Sequence, residues 1–124
     1  MLKKKITYVD YDGVERTEEF HFNLNKAELT QMEMSKEGGL VKTIEKIVET
    51  NDSKQLVDIF TELILKSYGE KSVDGKRFIK NQELTDAFSQ TEAYSELFML
   101  LATDADEAAA FVNGITQSVQ SSNK

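Results

Sequence analysis

The spacing of apolar residues changes once along this chain, and that change decides the fold class. Near the start, Ile6 and Tyr8 alternate with polar neighbours, as do Phe20, Phe22 and Leu24. A period of two belongs to half-buried strands. From Asn25 onward the apolar residues recur three and four positions apart, the period of helices with one buried face. The pattern predicts an α+β fold, mostly α, with a β-hairpin over 3–24 followed by a compact bundle of about five short helices over 25–115. At 124 residues the chain has room for one domain that buries enough surface to fold without crosslinks. That domain is expected to span 1–115, and the small polar residues of 116–124 are expected to form a disordered tail. The chain has no proline, so no proline-rich linker divides it.

Tyr11-Asp12-Gly13 lies between the two alternating stretches. A two-residue Asp-Gly turn sets Phe20 opposite Lys5 and splits the apolar residues between both faces. A three-residue loop with Gly13 left-handed sets Phe20 opposite Lys4 and gathers Ile6, Tyr8, Phe20 and Phe22 on one face. The second register is preferred because it gives the hairpin a single apolar side.

Asn25 and Glu28 form a capping box, with Leu24 placed to staple onto Leu29. Gly38-Gly39 breaks this helix. Leu40, Val41, Ile44, Ile47 and Val48 make the next stripe, and Asp52 with Gln55 caps a third helix. The third carries the broadest apolar face, Leu56, Ile59, Phe60, Leu63 and Ile64, and Gly69 is placed to end it. Ser72 to Arg77 reads as a turn around Asp74-Gly75. Asn81 caps a short helix, and Ser89 to Glu92 reads as a capping box for the helix holding Tyr94, Leu97, Phe98 and Leu101. Thr103 is the expected cap of the last helix. Asp104, Asp106 and Glu107 in its first turn suit the helix dipole, Ala105, Ala108, Ala109 and Val112 form a narrow face, and Gly114 closes it.

Little here suggests chemistry. The chain has no cysteine and a single histidine, which excludes thiol catalysis and the ordinary zinc sites. His21 should point away from the apolar face of its strand. Asp10 and Asp12 resemble the opening of a calcium loop, but Gly13 comes too early and His21 stands where the bidentate glutamate belongs. No phosphate-cradling glycine loop is present, because Gly38-Gly39 lacks the following Lys-Ser/Thr pair. A net charge of −7 argues against nucleic acid and anionic membranes as partners. No apolar run spans a bilayer and no export signal is legible. No catalytic, metal or cofactor-binding residue is assigned, and no cofactor is expected.

One feature points to a protein partner. Met99 and Leu100 lie off the core stripe of their helix, and Phe111 and Ile115 widen the apolar surface of the last one. Either the C-terminal helical hairpin is buried on both sides, or Phe98, Met99, Leu100, Phe111 and Ile115 form an exposed strip for a partner helix.

Several strings, in order, carry a family resemblance. They are Ile6-Thr7-Tyr8, Asp12-Gly13, Phe20-His21-Phe22-Asn23-Leu24 with Lys26-Ala27-Glu28-Leu29, then Tyr68-Gly69-Glu70-Lys71-Ser72 with Asp74-Gly75-Lys76-Arg77-Phe78. Phe88-Ser89-Gln90-Thr91-Glu92-Ala93-Tyr94 and Leu101-Ala102-Thr103-Asp104, with Ala108, Phe111 and Asn113-Gly114-Ile115, complete the set. Together they resemble the tail assembly chaperones of siphophages and prophages of Gram-positive bacteria. The resemblance implies a non-catalytic protein of the host cell cytoplasm, not retained in the mature virion. It implies a long helical partner, the tape measure protein, kept soluble until the tail tube polymerises around it. It also allows a frameshifted longer product that recruits tail tube protein; self-association is expected by the surface logic of the apolar strip, since many copies could line one partner. The competing reading is an acidic helical adaptor or antitoxin-like regulator that masks another partner; a small enzyme comes last.

Overall fold

The computed structural model describes residues 1–117. In chain order they form β1 (Leu2–Val9), β2 (Glu15–Phe22), α1 (Lys26–Ser35), α2 (Leu40–Thr50), α3 (Ser53–Ser67), β3 (Tyr68–Lys71), β4 (Phe78–Ile79), α4 (Gln82–Ser89), α5 (Glu92–Thr103) and α6 (Ala105–Ile115). The fold is α+β and mostly α, with six helices after the hairpin.

Lys4 pairs with Phe20 across the hairpin. The Asp10 N–H donates to Val14 O at 2.9 Å, and Gly13 is left-handed at φ 79°. The loop is therefore Tyr11-Asp12-Gly13, and the residues pairing across it share a face. Ile6 and Phe22 are buried there, with Leu2, Tyr8 and Phe20 packed at the margin. α5 and α6 lie against β1 and cover this apolar side.

The sheet has four antiparallel strands in the order β1-β2-β3-β4, two more than the alternating stretches indicate. The turn at Ser72 to Arg77 is present, closed by Ser72 N–H to Arg77 O at 2.8 Å, but it joins β3 to β4. Gly69 does not stop α3, which ends at Ser67. It lies in β3 opposite His21, where a Cβ would stand 2.8 Å from Ile79 O and from the Phe78 ring. The position requires glycine for closeness.

Most helix starts follow side-chain capping. Asn25 Oδ1 accepts from the Glu28 N–H at 2.8 Å, and Glu28 Oε1 accepts from the Asn25 N–H at 3.0 Å. Asp52 accepts from Gln55 N–H and Asn81 from Leu84 N–H. Gly38 and Gly39, both at positive φ, separate α1 from α2. Two caps differ from expectation. Ser89 still belongs to α4 and donates to Asp86 O, so Thr91 caps α5. Thr103 donates back to Met99 O inside α5, which leaves Asp104 to accept from the Asp106 and Glu107 N–H groups. Gly114 lies within α6, which continues to Ile115; there a Cβ would come 2.8 Å from Leu2 Cδ1. Its role is to let α6 approach β1.

α3 is the central helix, burying Ile59, Phe60, Leu63 and Ile64. Around it an aromatic cluster links sheet and helices. Tyr68 stacks on Phe88 at 4.2 Å between centroids, and Phe22 meets both Phe88 and Phe111 edge-on. Each such buried ring contributes roughly 1.5–3 kcal/mol through burial. Lys80 Nζ donates to Asn23 O and to Glu28, each at 2.7 Å, tying the end of β4 to the start of α1. Thr116 is buried and its hydroxyl donates to Val112 O, so the fold takes in the first residue of the expected tail. Residues 118–124 of that tail lie outside the described residues.

Candidate protein-binding groove

α2 and α6 each carry more apolar surface than one buried face accounts for. In α2, Leu40 and Ile47 enter the core. Val41 and Val48 follow them by one residue each, about 100° further round, and remain 59% and 63% exposed, with the half-buried Ile44 between the two faces. In α6, Phe111 and Ile115 enter the core, while Ala105, Ala108, Ala109 and Val112 occupy a separate face. These two outer faces are the walls of a cleft of about 480 Å³, with Leu56 and Phe60 of α3 and Leu101 and Ala102 of α5 completing it. Among the described residues, Glu45, Thr103 and Asn113 are its only polar lining residues. The alanines keep one wall shallow, so another backbone can approach α6 closely, while the valines offer branched side chains opposite.

The five residues expected to form a partner strip separate into two groups. Phe111 and Ile115 are core residues, 3% and 0% exposed. The Phe111 ring packs 5.3 Å from that of Phe22, and Ile115 O accepts from the Leu24 N–H at 2.8 Å. A partner cannot reach either without opening the domain. They sit on the face of α6 turned toward the hairpin, whereas on the alanine face Ala105 and Ala109 are exposed and Ala108 and Val112 only half-buried. Phe98 and Leu100 are half-buried, Phe98 beside the Tyr94 ring. Met99 is 55% exposed. It precedes Ala102 and Thr103 by three and four residues, which puts it on the groove side of α5.

Val41, Ile44 and Val48 were legible only as part of one α2 stripe. Val41 and Val48 lie at the edge of an arc of about 120°, an ordinary width for one amphipathic face, so no signal in the sequence separates them from Leu40 and Ile47.

Elsewhere the titratable groups serve local structure. The Asp10 carboxylate accepts from the Asp12 and Val14 N–H groups and pairs with Arg16. The arginine, then those backbone donors, hold its pKa below the ordinary carboxylate range, so this is a turn carboxylate. His21 is half-buried, 3.7 Å from Glu19, on the sheet face opposite Phe20 and Phe22. Burial lowers the Lys80 pKa against the opposing pull of Glu28. Among the described residues no cluster of three or more His, Cys, Asp or Glu is placed to hold a metal ion, and no helix is long and apolar enough to cross a membrane.

No curated protein and no solved structure shows detectable similarity to this chain. A family model described as phage tail assembly chaperone matches residues 1–122, taking in the hairpin, the short strands and every helix that builds the groove. The chain therefore belongs to the phage tail assembly chaperone family.

Proposed function

We propose that this chaperone binds an amphipathic helical segment of the tape measure protein in the groove between α2 and α6. Binding keeps that long protein soluble in the host cytoplasm until tube subunits polymerise around it, and the chaperone then leaves. The role is non-catalytic. The observation that carries the reading is the open apolar groove itself, with exposed valines facing a wall of alanines. A solvated apolar surface of this kind marks an interaction site, and a groove walled by two helices suits the apolar stripe of a third. Its lining runs from Val41 to Val48 on α2 and from Ala105 to Asn113 on α6. At ~1.5 Å per residue and ~5.4 Å per turn that is roughly 10–12 Å, enough for about two helical turns of a partner. Met99, with Phe98 and Leu100 behind it, extends the contact along α5, and Phe111 and Ile115 hold α6 in place from the core side.

Co-expression with a tape measure fragment from the same genome, followed by size-exclusion chromatography, tests this. The expected result is a fragment that is insoluble alone and co-elutes with the chaperone. A fragment that stays insoluble, or dissolves unaided and elutes separately, removes the proposal.

A further inference from the structure

Among the described residues, Glu45 is the one charged residue lining the groove, and it is exposed. No cation among the described residues pairs with it. Lys36 and Lys66 pair with Glu62, Lys80 with Glu28, and Lys4 with Glu107. On its own helix, Lys42 and Lys46 follow Val41 and Glu45 by one residue each, a step of about 100° that turns them away from the groove. Both line the neighbouring polar cleft beside the α1–α2 connection, which Glu45 also borders from the ridge between the two clefts, but neither lines the groove and neither forms an ion pair with Glu45. Among the described residues, the other elements contribute Leu56, Phe60, Leu101, Ala102, Thr103 and the alanine wall to the groove, and no charge. Across it, at the start of α6, Asp104 is held by its capping bonds and Asp106 is exposed.

We infer that the groove selects a helix whose aliphatic stripe is flanked by a lysine or arginine, and that Glu45 is the residue that reads this cation. The inference rests on the groove reading above and gives the partner a chemical character. A carboxylate at the edge of an apolar cleft is partly dehydrated when the cleft fills. An uncharged or acidic neighbour then leaves it without a partner, whereas an ammonium or guanidinium group compensates it. The apolar walls supply attraction for any amphipathic helix, and Glu45 discriminates among them.

Three synthetic helical peptides provide the test. They share one leucine–isoleucine stripe and differ only in carrying Lys, Gln or Glu along its flank. Each is titrated by fluorescence anisotropy against the full chain, against Glu45→Lys and against Glu15→Lys. Glu15→Lys makes the same change in net charge at an exposed position on the hairpin, so it accounts for long-range attraction to an acidic protein. Circular dichroism establishes that both variants are folded. The expected order for the unaltered chain is Lys, then Gln, then Glu, with roughly three- to tenfold between steps, as for a rim charge pair. Glu45→Lys should abolish or invert the order, while Glu15→Lys should keep it. If all three peptides bind equally, or if the two variants behave alike, the role of Glu45 is overturned while the groove reading stands. If none binds, both fall together.

Discussion

Asp10 and Asp74 do the same work at two turns. Asp10 gathers the Asp12 and Val14 N–H groups with Arg16, and Asp74 takes the Ser72 hydroxyl and the Lys76 N–H. In both, the largest cause of a lowered pKa is the side-chain hydrogen bond. A folded-state pKa below the free value of about 3.9 means that each contributes stability above that value and loses it as the pH falls through the folded value. NMR titration of the side-chain carbonyl carbons should place both midpoints below that of a free aspartate, and Arg16→Ala should move Asp10 upward while leaving Asp74 in place. Gly69 makes a second prediction at this scale. Ala there meets a backbone carbonyl that cannot move without parting β3 from β4, so Gly69→Ala should cost about 1–3 kcal/mol in urea unfolding. Capping by Asn25, Asp52 and Asn81 was readable from sequence because each acts within one turn. Gly69 and Gly114 were misread because the reason for a glycine at those positions lies in residues distant along the chain, Ile79 and Leu2, which sequence spacing does not reveal.

The strands and helices differ in how clearly they announce themselves. The hairpin and its register follow from alternation and one left-handed glycine, both local. β3 and β4 escaped because strands of four and two residues are too short to develop a period, and they exist by pairing onto an edge already built. The groove escaped for another reason. An amphipathic stripe shows that a face is apolar but not what covers it, so Val41 and Val48 looked the same as Leu40 and Ile47. Substitutions can separate the two classes. Val48→Asp and Ala109→Asp, both at exposed positions on the groove walls, should leave the thermal unfolding midpoint within a few degrees of the parent and reduce capture of a tape measure fragment at least tenfold. Phe111→Asp places an unpaired charge in the core and should abolish folding, as read by the loss of a cooperative melt. Equal capture by Val48→Asp and the parent would mean that the partner docks elsewhere.

For the whole molecule, closure depends on contacts between parts of the chain far apart in sequence. Leu2 fits against Gly114, Phe22 against Phe111, and the Leu24 N–H reaches Ile115 O. The hairpin precedes α5 and α6 by about seventy residues, yet those two helices cover its apolar face. Long-range closure of this kind slows folding, and a chain ending before α5 has the face but not its cover. A variant truncated after Gln90 should therefore show no slowly exchanging amides in β1 and β2, whereas the full chain should protect them. Protected β1 and β2 amides in the truncated chain would show the hairpin to be independent of α5 and α6. The wall of alanines belongs to the same helix that seals the hairpin, so completion of the fold and appearance of the groove are one event. In the proposed mode of binding, a chain folded only as far as α5 presents the valine wall with nothing opposite it, so a partner helix gains its second wall only from the helix that closes the domain.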